Sequence, residues 1–143
     1  MDTRRVVQLT RRAHFCAAHR LHSHHLSDEE NREVYGKCNN PHGHGHNYLI
    51  DVTVEGEPHP HTGMVINLFA LDDIIHNQVI EEVDHRNMNV DVPFMQGLIP
   101  TIENMVIRIW DILAAHLPEG VRLVRLHIQE TEKNSVTYYG PPS

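Results

Sequence analysis

The sequence predicts an α+β fold, a mainly antiparallel sheet with helices on one face. Three observations predict it. Apolar residues alternate at period two near both ends of the chain, apolar residues recur at helical spacing in the middle, and Gly, Pro and Asn punctuate the joins. Strands and helices are thus segregated along the chain rather than interleaved, as in α+β folds. The length of 143 residues predicts one domain spanning residues 1–143. A domain of that size buries roughly 68–70% of its unfolded surface and needs no disulfide or metal merely to fold.

Residues 5–19 read as the first strand, with Val7, Leu9, Arg11, Ala13, Phe15, Ala17 and His19 on one face and Gln8, Thr10, Arg12 and His14 on the other. The polar stretch 22–43, with Gly36, Asn39-Asn40-Pro41 and Gly43, reads as a loop. A second strand covers 44–56, its even positions Tyr48, Ile50, Val52 and Val54 apolar, and Met64–Leu68 reads as a short third strand. Leu68, Leu71, Ile75, Val79 and Val83 then mark an amphipathic helix with Asn67 as its N-cap. Residues 86–99 read as a connection. Thr101 caps a second helix whose stripe is Ile102, Met105, Val106, Ile109, Trp110, Leu113 and Leu117, and Pro118 stops it. Strands over 121–130, with Val124, Leu126 and Ile128 on one face, and over 135–139 complete the chain.

Composition excludes several function classes. Twelve Lys+Arg against nineteen Asp+Glu leave −7, the wrong sign for general nucleic-acid binding, although five Arg fall in the first twenty residues. No apolar run approaches the ~20 residues of a membrane span. The stretch MDTRRVVQLTRR lacks the apolar core of a secretory signal, so a cytoplasmic protein with two free thiols, Cys16 and Cys38, is expected.

Histidine is the outlier, fourteen in 143 residues, including H-S-H-H at 22–25 and H-G-H-G-H at 42–46. His44 and His46 are two apart at the head of a strand and so point to one face. His19 closes the apolar parity of the first strand. If the two strands pair as a hairpin, three imidazoles meet at one end of the sheet. Three His ligands with an open fourth position are the composition of a catalytic zinc site. Cys38, in the loop feeding that site, is a candidate ligand, nucleophile or base. Cys16 has the opposite parity to His19 and reads as packing. Asp84-His85 pairs a carboxylate with an imidazole, an arrangement that gains meaning in a tight turn. Glu130 ends an apolar strand face, where a carboxylate needs a partner such as two parallel N–H donors of a heterocycle. Glu103 lies in the first turn of the second helix, where it complements the helix dipole.

F-C-A-A-H (15–19), C-N-N-P-H-G-H-G-H-N-Y (38–48), G-M-V-I-N-L (63–68), V-D-H-R-N (83–87), P-T-I-E-N (100–104) and Q-E-T (129–131) together resemble the 6-pyruvoyl tetrahydropterin synthase family. The resemblance implies the tunnelling fold, a four-stranded antiparallel sheet with two helices on one side, assembled as a homohexamer (a dimer of trimers) around a barrel whose closure pairs the sheet edges. It implies zinc ligands at His19, His44 and His46. Cys38 matches the catalytic cysteine, Asp84 and His85 match its two partners from a neighbouring subunit, and Glu130 matches the pterin anchor, with Thr101 and Glu103 beside the ring. The implied reaction eliminates triphosphate from 7,8-dihydroneopterin triphosphate to give 6-pyruvoyl-tetrahydropterin, as in tetrahydrobiopterin biosynthesis. Lys37, Arg11 and Arg12 are candidates for the triphosphate. Three positions depart from the family pattern: Cys16 stands where Ser is usual, His42 where Asn is frequent, and Ile102 where a small polar residue is usual.

Two rival readings make different demands. The sister 6-carboxy-tetrahydropterin synthase of queuosine biosynthesis usually carries its cysteine closer to H-x-H, and tends to have Asp where this chain has Asn67. A non-catalytic metal-binding protein would use many histidines and have no need of Cys38, Asp84 or Glu130.

Overall fold

The structure, a computed structural model, describes residues 3–143. In chain order the elements are β1 (Val7–His19), α1 (Asp28–Tyr35), β2 (His44–Gly56), α2 (Leu68–Ile75), α3 (Glu81–Val83), β3 (Arg86–Asn87), α4 (Ile102–Ala114), β4 (Arg122–Gln129) and β5 (Ser135–Tyr138). They form an α+β fold whose sheet runs β3-β1-β2-β4-β5. The expected four-stranded antiparallel sheet is corrected to five strands and mixed pairing: β3 lies parallel to β1, pairing Ala17 with Arg86 and Ala18 with Asn87. Two residues are too few to show any period, so β3 is invisible to pattern reading.

The long antiparallel hairpin of β1 and β2 positions the site. Its register pairs Phe15 with Tyr48, Ala17 with His46 and His19 with His44. Ala13, Phe15, Ala17, Tyr48, Ile50, Val52 and Val54 are buried in a core closed by Leu71, Ile75, Val79, Val83, Met105, Ile109 and Leu113. The other face is polar, with Thr10 bonded to Thr53 at 2.8 Å and Arg12 to Asp51 at 2.8 Å. Arg11, at an apolar position of the first strand, instead meets Asp72 of α2 at 3.0 Å.

The helices show where local signals competed. Asn67 caps α2, its side chain accepting from the backbone N–H of Phe69 and Ala70. Leu71, Ile75, Val79 and Val83 are spaced by four, and in an ideal α-helix each such step overshoots a full turn by about 40°, or about 120° over three steps. A π turn at His76–Ile80 joins α2 to α3 and takes up this drift, so all four side chains reach the core. Thr101 caps α4 by accepting from the Asn104 N–H at 3.2 Å, and the helix ends at Ala114, short of Pro118.

Three expectations are overturned. The loop expected over 22–43 contains α1 and a 3-10 turn at Gly36–Asn39. α1 has almost no apolar stripe. A capping box between Ser27 and Glu30 starts it, and buried Asn31 ties it down by accepting from Ser23 N–H at 2.7 Å and donating to Ser23 O at 2.9 Å. The short strand expected at 64–68 is an irregular lead into α2, although it buries Ile66. In β4 a register shift opposite Thr53 and Val54 pairs Leu123 with Val54 and Leu126 with Val52. Val124 is therefore the extra bulge residue, and Leu123, not Val124, enters the core.

Candidate metal centre and active site

Hairpin register alone brings His19, His44 and His46 together at one end of the sheet. Their ring centroids lie 4.9 Å (His19–His44), 5.2 Å (His19–His46) and 4.7 Å (His44–His46) apart. The turn into β2 is made by Gly43 at φ 74°, where a Cβ would stand 3.0 Å from the His19 carbonyl oxygen, so a side chain there would push the two strands apart.

His19 is the buried member, 1% exposed. Its Nδ1 lies 2.8 Å from the carbonyl oxygen of Pro100. A carbonyl only accepts, so Nδ1 carries the hydrogen and Nε2 keeps its lone pair for a metal. Burial drives its pKa down to about 4 from 6.5, so the ring is neutral at physiological pH. Burial also lowers His46. His19 Nε2, His44 Nδ1 and His46 Nε2 are all buried without a hydrogen-bond partner. Buried polar atoms ordinarily find partners. Three converging imidazole nitrogens that have none fit a divalent cation of the zinc class, and the three residues form a group that could hold a metal. His42 is exposed and outside this group.

Around the imidazoles stand a carboxylate, a phenol and a thiol. Glu130, just past β4, places Oε1 3.9 Å from His46 Nε2, too long for a hydrogen bond. Burial raises its pKa, and the neighbouring Glu103 raises it further. Tyr48 is a residue whose polar end the sequence reading overlooked, since its parity marked it only as core. Its ring stacks on Phe15 at 4.9 Å while its hydroxyl is buried and unpartnered. Burial, then Glu130 and Cys38, push that hydroxyl's pKa up, which places all three in one electrostatic neighbourhood. Cys38 sits half-buried in the 3-10 turn after α1, and its carbonyl accepts from Leu21 N–H at 2.8 Å.

Asp84 and His85 sit in a tight turn, and within the same chain they lie beside Cys16. The turn joins α3 to β3, with His85 in the left-handed region at φ 61°. Asp84 Oδ1 accepts from Cys16 N–H at 2.9 Å and lies 3.0 Å from His85 Nδ1. His85 N–H donates to the Cys16 carbonyl at 2.6 Å. The Cys16 amide holds the Asp84 carboxyl below its usual range, with a smaller effect from His85. The pair therefore lies along the β3 edge of β1, at the residue whose parity opposes that of His19. Cys16, read as packing, is half-buried, and its thiol, the Asp84 carboxylate and the His85 imidazole lie within 4.8 Å of one another.

A family model described as 6-pyruvoyl tetrahydropterin synthase matches residues 8–141. A 6-pyruvoyl tetrahydrobiopterin synthase from Poecilia reticulata is 49% identical over 136 residues, covering 95% of this chain and 92% of the relative. The Homo sapiens protein of that name is 48% identical over 134 residues, covering 94% and 92%. The solved structure of Caenorhabditis elegans 6-pyruvoyl tetrahydropterin synthase superposes with a TM-score of 0.89 at 43% identity, covering 99% of this chain and all of the other (100%). With the match running along nearly the whole chain, this protein belongs to the 6-pyruvoyl tetrahydropterin synthase family and is an enzyme of it.

Proposed function

We propose that the chain is a zinc-dependent lyase that eliminates triphosphate from 7,8-dihydroneopterin triphosphate and yields 6-pyruvoyl-tetrahydropterin. The observation that carries this reading is the set of three unpartnered imidazole nitrogens beside Glu130, in a chain with these relatives. His19, His44 and His46 hold the ion. The chemistry zinc supplies there is Lewis-acid polarisation, which acidifies the protons on the pterin side chain.

The chain's own residues do the rest. Glu130 anchors the pterin by accepting two parallel N–H donors, which offsets the burial that now raises its pKa. Thr101 and Glu103, at the head of α4, flank the ring. Cys38 is the general base that takes a side-chain proton. His85, oriented by Asp84, passes a second proton, and the two act on the site of a neighbouring subunit. This division fits their place on the Cys16 edge of β1. It also fits a homohexamer built as a dimer of trimers, whose closed barrel would pair the two open edges of this small sheet. Among the described residues no helix is long and apolar enough to cross a membrane. The cytoplasm is the compartment we assign.

Product analysis tests the reading. Protein loaded with one zinc ion per chain is incubated with 7,8-dihydroneopterin triphosphate, and the products are trapped by oxidation and by enzymatic reduction, with Cys38→Ala alongside. A pyruvoyl product that disappears in the variant is expected. A 6-carboxy product with acetaldehyde moves the chain to the other branch, and no turnover by protein holding a single zinc ion per chain overturns the enzyme mechanism.

A further inference from the structure

We propose that Cys16, Asp84 and His85 form a second cation site, selective for thiophilic divalent ions such as zinc or cadmium, and that its occupation shuts down the Asp84–His85 proton relay. The second half rests on the function proposed above, whereas the site itself rests on geometry alone.

A Cys16 Sγ, an Asp84 carboxylate oxygen and a His85 ring nitrogen lie within 4.8 Å of one another. Ligands at the ~2.0–2.3 Å bond lengths of tetrahedral zinc stand about 3.3–3.8 Å apart. The group therefore needs to contract by about 1.5 Å at most. Within one chain the residues that do that are exposed: the His85 side chain is 79% exposed and that of Asp84 is 36% exposed. The core does not have to move.

The backbone holds the three residues in place. Asp84 Oδ1 grips the amide of Cys16, and the amide of His85 grips its carbonyl, so both partners are fastened to the same strand residue from one side. The left-handed backbone at His85 turns the chain sharply enough to keep the imidazole against the carboxylate. Asp84 and His85 follow α3, and Cys16 has the opposite parity of β1 from His19, so this group shares no ligand with the imidazole cluster.

The donor set differs from that cluster in kind. One thiolate, one imidazole and one carboxylate favour zinc or cadmium over magnesium or calcium, which prefer all-oxygen ligands. Binding displaces the thiol proton to solvent and leaves a fourth position for water. Once His85 and Asp84 are tied to a cation, neither can carry a proton, so zinc would be needed at the imidazole cluster and inhibitory at Cys16.

The test uses full-length protein stripped with a chelator, then dialysed to equilibrium against zinc alone and counted by elemental analysis. Wild type, Cys16→Ser, Cys16→Ala and Cys38→Ser are compared, with circular dichroism as the folding control. Both Cys16 variants are expected to bind one fewer cation per chain than wild type. With cobalt(II) as probe, the thiolate-to-metal absorption of this site should vanish in the Cys16 variants and persist in Cys38→Ser. Histidines elsewhere contribute equally to every chain, so the difference isolates this site. Equal stoichiometry in wild type and both Cys16 variants, with cobalt absorption unchanged, overturns the proposal. With substrate, the zinc concentration for half-inhibition should rise by about tenfold or more in Cys16→Ser. An unchanged value overturns the inhibitory role. A chain that loses the cation with Cys16 yet turns over no pterin keeps this site and overturns the lyase reading instead.

Discussion

Acid should destabilise the metal-free protein through His19. Burial lowers its pKa to about 4 from 6.5, so the folded state disfavours the charged ring. Unfolding then takes up a proton wherever the pH lies between those two values, and stability rises with pH across that window. The penalty is absent above the unfolded pKa and complete below the folded one. One pKa unit corresponds to about 1.4 kcal/mol, so the full penalty is on the order of 3 kcal/mol, of which about 2 kcal/mol appears between pH 7 and pH 5. Staying above about pH 5 avoids the lowered carboxyls Asp51 and Asp84, whose contributions are lost at more acid pH. The assay is urea unfolding of chelator-stripped protein at a fixed protomer concentration, in wild type and His19→Gln, at both pH values. The variant should lose most of the pH dependence. Zinc loading should steepen it in wild type, because protons compete with the metal for the same nitrogens. If stripped wild type and His19→Gln show the same dependence, His19 is not a neutral, metal-ready imidazole.

Other outcomes follow from single groups. Glu130→Gln should lower kcat/KM by roughly 10- to 100-fold, since hydrogen bonds to a charged group are worth about 1.5–3 kcal/mol, and steady-state kinetics read this directly. Tyr48→Phe removes a buried hydroxyl with no partner and should raise the stability of the stripped protein by about 1 kcal/mol, seen as a later urea midpoint. Asn67→Ala removes the cap of α2 and should cost about 1 kcal/mol in the same assay, with metal content unchanged.

Part of this architecture is legible from side-chain periodicity. The alternation in β1 and β2 identifies both strands and the parity of His19, His44, His46 and Tyr48. The four-residue spacing from Leu71 to Val83 announces a helix, and Asn67 and Thr101 mark where helices begin. These signals are local, because a cap or an amphipathic face is specified within a few residues of chain. α1 was also within reach, since Ser27-Asp28-Glu29-Glu30 spells a capping box. Its polar composition hid it, because it is held by Asn31 and not by an apolar stripe.

Local pattern carries the class of fold, its main strands and helices, and which residue types could hold a metal on which strand face. Tertiary structure decided how those pieces meet. The hairpin register set His19 opposite His44, and the Pro100 carbonyl, far along the chain, set its tautomer. The bulge opposite Thr53 and Val54 exchanged Val124 for Leu123 in the core. Two-residue β3 and the left-handed His85 placed Asp84 and His85 against Cys16 of the same chain. The physical reason is the same in each case. Pairing register, a distant carbonyl and an edge contact are fixed by satisfying backbone groups and filling the core across the whole chain, and no local window of residues contains that information.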